Sequence, residues 1–320
     1  MKLRCAVLDD YQNIARHMAD WSAIEEQVDV EFLQHHIDDE EELIRQLEDY
    51  EILVIMRERT RFGASILSRL PKLKLLVTTG MRNASIDLSA ATEYGIKVCG
   101  TGAGGDPTTE LTWALILGLA RNVVQEHQAL RSNGPWQSTI GTDLQGKRLG
   151  LLGLGKLGSR VARIGQAFGM EVCAWSQNLM QERAEEAGVK LAPSKEELLA
   201  SSDFVSIHLV LGERTRGLIG RKELQVMRPT AYLINTSRAP IIDQDALVEA
   251  LQKGWIAGAG LDVYMTEPLP KNDPFRSLPN VLSTPHLGYV SEANYKAYFQ
   301  GAIEDIQAFL QGEMVRQLNT

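Results

Sequence analysis

The stretch LGLLGLGKLGSRVARIGQAFGMEVCAW, residues 149–175, limits the possible folds most sharply. An apolar run ends in Gly153-x-Gly155-x-x-Gly158, and an amphipathic helical pattern and a second apolar run follow. Each glycine answers its own steric demand. The first makes a tight turn, the second lets backbone approach a pyrophosphate, and the third lets the helix lie close on the strand. Lys156 and Leu157 open that helix, whose unpaired N–H groups favour phosphate. The pattern predicts a dinucleotide site in a Rossmann-like unit. In such sites an acid usually ends the second strand and takes the ribose 2′-hydroxyl. Ser176 stands there instead, followed by Gln177 and Asn178. Without a carboxylate to repel it, a 2′-phosphate can be hydrogen-bonded by these side chains, so NADP(H) is expected alongside NAD(H). No arginine follows immediately, which leaves the preference between the two open.

Short apolar runs alternate with helical periodicity along the whole chain, the mark of an α/β fold with parallel sheets. Strands are predicted at 3–8, 28–33, 52–56 and 73–77, with helices near 12–20, 40–49, 63–70 and 87–94. A second series of strands is predicted at 148–152, 172–175, 204–208, 231–235, 257–261 and 281–283. The first strand runs into Asp9-Asp10-Tyr11 rather than glycines, so the first half reads as a doubly wound domain without a phosphate loop. GTGAGGDP at 100–107 marks a change of composition, and Pro107 suits the first turn of a helix. The helix expected at 107–131 is apolar nearly all round from Leu111 to Ala120. Such a helix needs cover on more than one side, which points to burial between domains and against a second subunit. A last helix is predicted at 291–312 from the spacing of Phe299, Ala302, Ile303, Ile306, Phe309 and Leu310.

Net charge argues against a nucleic-acid partner: it is -8, with no broad basic stretch. No apolar run is long enough to span a membrane, and the first residues, MKLRCAVLDD, do not form a signal sequence. Cys5, Cys99 and Cys173 have no metal-ligand spacing and read as buried small hydrophobes in a reducing compartment. A cytoplasmic protein without a metal is the expectation.

Three segments that follow predicted strands carry reactive side chains: NTSRAPIID with Arg238, GLDVYMTEPLP with Asp262 and Glu267, and STPHLG with His286. Open α/β sheets bind ligands at these carboxyl ends. Together with HLVLGERTRGLI from His208 and LVTTGMRNASIDLSAATEYGIKV in the first half, they resemble the D-isomer-specific 2-hydroxyacid dehydrogenases over nearly the whole chain. The resemblance implies two doubly wound Rossmann-like domains, with the cofactor domain (101–289) inserted into a flavodoxin-like substrate domain (1–100 plus 290–320). It implies hydride exchange between NAD(H) or NADP(H) and a small 2-keto or D-2-hydroxy acid, in a homodimer built through the helix near 107–131.

Chemistry agrees with the resemblance. Reducing a ketone requires a proton at the carbonyl oxygen, and an imidazole titrates near neutrality. Arg238, Glu267 and His286 are the expected catalytic set: His286 as acid and base, Glu267 holding the imidazole and favouring its charged form, and Arg238 offering a fork of donors to the carboxylate and carbonyl. By resemblance, Asp262 lies near the nicotinamide amide, and Thr108 and Thr236 are further candidates for cofactor contact. The N–H groups of Gly80, Met81 and Arg82 are implied to take the substrate carboxylate, although Met81 and Arg82 depart from the family's small loop here. Arg57, after a predicted strand, is a second candidate for a distal substrate group. His17, His35, His36 and His127 read as surface or helix residues, and His208 as a packing residue. The alternative reading is a catalytically weak, nucleotide-sensing binding protein of the same fold.

Overall fold

The computed structural model describes residues 2–320. Contacts divide the chain into two compact units, one reaching to Gly105 and resuming at Val290–Thr320, the other covering Asp106–Tyr289. The first unit holds a five-stranded sheet: β1 (Leu3–Val7), β2 (Val28–Phe32), β3 (Ile52–Ile55), β4 (Leu75–Thr78) and β5 (Lys97–Gly100). The order is β2-β1-β3-β4-β5, all parallel, with the topological switch between β1 and β3. Strands β3 and β4 are buried at every position. That double-sided burial is why the sequence shows continuous Ile/Leu/Val runs rather than alternation.

The second unit holds seven parallel strands: β6 (Arg148–Leu152), β7 (Glu171–Trp175), β8 (Lys190–Leu191), β9 (Phe204–Ile207), β10 (Tyr232–Asn235), β11 (Gly258–Leu261) and β12 (Val281–Ser283). Their order is β12-β11-β10-β9-β6-β7-β8. Counted from β6 this is the doubly wound order of dinucleotide-binding sheets with one further strand, and the switch lies between β6 and β9. Strands β5 and β8 have no counterpart among the sequence expectations, β8 because two residues carry no periodicity.

The helix expected at 107–131 is two helices, Pro107–Ala120 and Val123–Arg131, broken where Asn122 adopts a left-handed φ of 51°. Asparagine tolerates that conformation better than most residues. The first helix buries Trp113, Leu115, Ile116 and Leu119 within its own unit, and the second buries nothing. Cover for the all-apolar helix therefore comes at least partly from its own sheet, through β10, β11 and β12.

The end of the chain closes the β5 edge of the first sheet. Gly100 N–H donates to Arg316 O (3.1 Å), Leu318 N–H to Val98 O (2.8 Å), and Val98 N–H to Asn319 Oδ1 (2.8 Å). An open edge invites pairing with other chains, and this tail removes that exposure. Arg316 is anchored in turn by Asp305 on the helix Glu292–Leu310, 3.1 Å away. Asp305 is fully buried, and its Oδ2 has no hydrogen-bond partner among the described residues.

Burial pushes the Asp305 carboxyl up to about 7, against the opposing pull of Arg316. The unfolded chain would release this proton near pH ~3.9. The folded chain therefore holds more protons between these values, and stability is lost as pH rises through that window. Asp305→Asn cannot ionise. Urea unfolding of both proteins at pH 5 and pH 8 should show the balance moving in favour of the variant at the higher pH; a difference independent of pH would refute the assignment.

Candidate active site

The glycine turn forms at the end of β6. Gly153 has a φ of +103°, and a Cβ there would come within 2.7 Å of His208 O, so conformation and space both demand glycine. A Cβ on Gly158 would run into the carbonyl of Gly153. Around Gly155 the space is open, and the helix Lys156–Ala167 begins there without a capping side chain. Its first N–H groups, including those of Lys156 and Leu157, are thus left to bind an anion from outside. At the end of β7, Ser176 is half-buried while Gln177 and Asn178 are exposed, and no carboxylate occupies this turn. These residues fit a dinucleotide: a backbone cradle for the pyrophosphate, and a hydroxyl and amides where the adenine ribose would lie.

Register aligns the remaining candidates. Asn235 pairs with Leu261, and Leu261 with Ser283. Beyond these pairs the ladder continues, with Asp262 N–H donating to Asn235 O (3.0 Å) and Thr284 N–H to Leu261 O (2.9 Å). Thr236, Asp262 and Thr284 therefore form one row at the carboxyl edge, with Arg238 and His286 just beyond it. Thr236 is buried and shares a 2.8 Å hydroxyl contact with Thr112. Thr108 donates to Gly288 O (2.6 Å).

Asp262 is buried, and its carboxylate accepts from Thr284 Oγ1 (2.6 Å), Leu287 N–H (2.7 Å) and Gly288 N–H (2.8 Å). Burial raises its pKa, while these donors oppose the rise. Its carboxylate thus holds the loop that carries His286, a role that sequence reasoning did not assign. His286 itself takes a left-handed φ of 52°. Its Nδ1 lies 2.6 Å from Glu267 Oε2, and Glu267 Oε1 accepts from Tyr264 N–H at 2.8 Å. The Tyr264 hydroxyl reaches both Leu261 O and Thr284 O, and Tyr289 meets the imidazole edge-on at 5.2 Å between centroids. With Nδ1 engaged, Nε2 is the ring nitrogen left to act outward. Arg238 follows β10, with Nη1 donating to Ser237 O (2.9 Å) and its own carbonyl accepting from Asn235 Nδ2 (3.1 Å).

His208 ends β9 beside the glycine turn. Burial lowers its pKa to about 4, and its Nε2 lies 3.0 Å from Ser206 Oγ. At neutral pH it is an uncharged packing partner.

On the first unit, the turn after β4 carries Gly80, Met81 and Arg82. Gly80 has a φ of +86°, and its N–H donates to Thr101 Oγ1 at 3.0 Å. Of the three N–H groups expected to face substrate, Gly80's is thus already used inside the fold. Those of Met81 and Arg82 have no partner among the described residues. Arg57 has a left-handed φ of 52° and lays its guanidinium where a Cβ of Gly80 would be. Asn83, missed at the sequence level, locks this edge by donating to Arg57 O (2.6 Å) and Thr78 Oγ1 (2.9 Å). His36 is also not a plain surface residue: it lies between Asp9 (3.0 Å) and Asp38 (3.2 Å), and the bond to Asp9 raises its pKa.

Residues 113–288 match the D-isomer specific 2-hydroxyacid dehydrogenase, NAD binding domain. The chain belongs to the D-isomer-specific 2-hydroxyacid dehydrogenases. Among relatives, it is 41% identical over 263 residues to a glyoxylate reductase from Aeropyrum pernix, covering 79% of this chain and 78% of that one. It is 37% identical over 281 residues to a D-3-phosphoglycerate dehydrogenase from Methanocaldococcus jannaschii, covering 87% of this chain but 53% of that longer protein. A phosphoglycerate oxidoreductase from Vibrio cholerae O395 superposes with a TM-score of 0.91 at 36% identity, over 98% of this chain and 100% of that one. The family's two Rossmann-like domains correspond to the two sheets described above. No helix among the described residues is long and apolar enough to cross a membrane.

Two glycine substitutions separate packing from binding. Gly158→Ala should destabilise the fold by about 1–3 kcal/mol through overpacking. Gly155→Ala meets open space and should leave the melting temperature nearly unchanged while weakening NADH binding. Thermal unfolding and a fluorescence titration with NADH check both; equal loss of stability in the two variants would contradict the geometry.

Proposed function

We propose that this protein is an NAD(P)H-dependent reductase of small 2-keto acids, forming and reoxidising the D-2-hydroxy acid. The observation that carries this reading is the His286–Glu267 contact of 2.6 Å at the carboxyl edge of the dinucleotide-binding sheet. A nicotinamide cofactor held by Gly153, Gly155, Lys156, Leu157 and Gly158 supplies the hydride. His286 donates a proton from Nε2 to the carbonyl oxygen during reduction and takes it back from the hydroxyl during oxidation. Glu267 fixes the ring through Nδ1. Arg238 presents a planar pair of donors to the carboxylate and carbonyl oxygens. Asp262 holds the loop in place, and Thr108 and Thr236 line the same edge on the cofactor side. The N–H groups of Met81 and Arg82 serve the acid group and Arg57 a distal substrate group, while Gly80 shapes their turn.

Ser176, Gln177 and Asn178 favour acceptance of NADP(H), since the acid that would repel a 2′-phosphate is missing. Small acids are supported by the glyoxylate reductases among the relatives. The three cysteines are buried and unpaired, which suits the reducing cytoplasm.

A homodimer is the third part of this reading. The helix Val123–Arg131 and the segment after it expose Val123, Leu130, Trp136 (80%) and Ile140 (96%). Glu126 pins that segment, accepting from the Ser138 hydroxyl at 2.9 Å and from its N–H at 3.1 Å. An apolar surface held in a fixed shape is what a second copy of the chain can cover. The interface so placed is displaced from the buried helix before Asn122 to the exposed helix after it.

NADH and NADPH oxidation with glyoxylate tests the chemistry. His286→Ala should lower kcat by about 10²–10⁴-fold with cofactor affinity retained, and NADPH should serve at least as well as NADH. Cofactor binding without turnover of any 2-keto acid would leave a nucleotide-binding protein instead. For assembly, light scattering should give a dimer for the native chain and a monomer for the Trp136→Ser, Ile140→Ser double variant; a native monomer refutes the interface.

A further inference from the structure

The segment after β3 bears three successive charged residues, Arg57, Glu58 and Arg59. Both arginines are engaged within the fold. Arg57 Nη1 donates to Thr79 O (3.3 Å), and its Nε lies 3.6 Å from Glu58 Oε2, each side chain being only 20% exposed. Arg59 Nη1 donates to Asp9 O (2.6 Å), and its guanidinium lies 4.3 Å over the Tyr11 ring. Burial raises the pKa of the Tyr298 phenol on the C-terminal helix, with Arg57 opposing and Glu58 adding to the rise.

Position gives the pair its meaning. The Arg57 guanidinium fills the space beside Gly80 that a side chain would take, against the turn that presents the unpartnered N–H groups of Met81 and Arg82. These donors suit one carboxylate. A second anionic group on the same molecule would find Arg57 already balanced by Glu58. Asp9 and Asp10 are buried at the neighbouring end of β1 and add no attraction. Arg82 is exposed, and its charge is screened by solvent.

We propose that Glu58 is a specificity-determining, positioning residue that restricts this enzyme to 2-keto acids with a single negative charge, acting through Arg57. The proposal rests on the reductase reading above and selects among the substrates that reading allows. Glyoxylate and hydroxypyruvate are accepted. Oxaloacetate and 3-phosphohydroxypyruvate are rejected because their second anion meets the Glu58 carboxylate.

Steady-state kinetics on these four acids, with the native enzyme, Glu58→Gln and Glu58→Ala, tests this. The native enzyme should show kcat/KM at least 100-fold lower for the two acids with a second anion. Both variants should raise kcat/KM for those acids tenfold or more, through KM, and change that for glyoxylate less than threefold. A native preference for the more highly charged acids, especially one abolished by Arg82→Ala, would overturn the proposal. So would a loss in the variants that is equal for all four acids. A binding measurement separates this from the reductase reading: with NAD+ present, glycolate should raise the Tm of the native protein and 3-phosphoglycerate should not. In Glu58→Gln both should raise it. Absence of turnover with this pattern intact defeats the reductase reading alone, and absence of the pattern defeats the role of Glu58.

Discussion

Asp262 leaves β11 almost without solvent, and its carboxylate accepts from Thr284 Oγ1, Leu287 N–H and Gly288 N–H. A hydrogen bond to a charged group contributes roughly 1.5–3 kcal/mol, so the three together oppose the cost of burying the acid, although burial still raises its pKa. The loop is thereby wrapped around a fixed point, and the imidazole is turned toward Glu267. Glu267 is itself held by Tyr264 N–H, and the Tyr264 hydroxyl returns to the carbonyls of Leu261 and Thr284. The His286–Glu267 pair is thus tied twice to the ends of β11 and β12.

Two histidines lie at the edge of the same sheet, and their surroundings assign them different work. His208 is enclosed, faces a serine hydroxyl and has no carboxylate to compensate a charge, so burial keeps it neutral. His286 is partly open and has an acid at Nδ1. Residue type alone does not distinguish them; the partner on the ring nitrogen does.

Features with a local cause were legible in the sequence. Doubly buried strands must be apolar at every position, and a pyrophosphate turn must have glycine where Gly153 and Gly158 stand. The segments bearing Arg238, Glu267 and His286 were found because each follows a predicted strand. What escaped depends on partners distant in sequence. The Gly80 N–H is taken by Thr101, His36 is held by Asp9, and the β5 edge is covered by residues 316–319. No periodicity announces a side chain bonding to backbone two hundred residues away. The break at Asn122 escaped for a different reason: apolar content continued past it, and a single left-handed residue leaves little trace in composition.

Charge placement at the first sheet follows from the same economy of space. Gly80 needs a positive φ and can carry no side chain, which leaves a slot beside its peptide. Arg57 fills that slot only by adopting a positive φ of its own, a conformation costly for a non-glycine residue. The strain is tolerated because the backbone N–H of Arg57 is fixed to Thr79 Oγ1 at 2.9 Å and its carbonyl to Asn83. The guanidinium itself donates from Nη1 to Thr79 O at 3.3 Å, so both the backbone and the tip of Arg57 are bonded within the fold. Glu58, next in the chain and half-buried with it, lies 3.6 Å from Arg57 Nε. In the reading proposed above, a neighbouring acid sets substrate preference at this edge as much as the cation does.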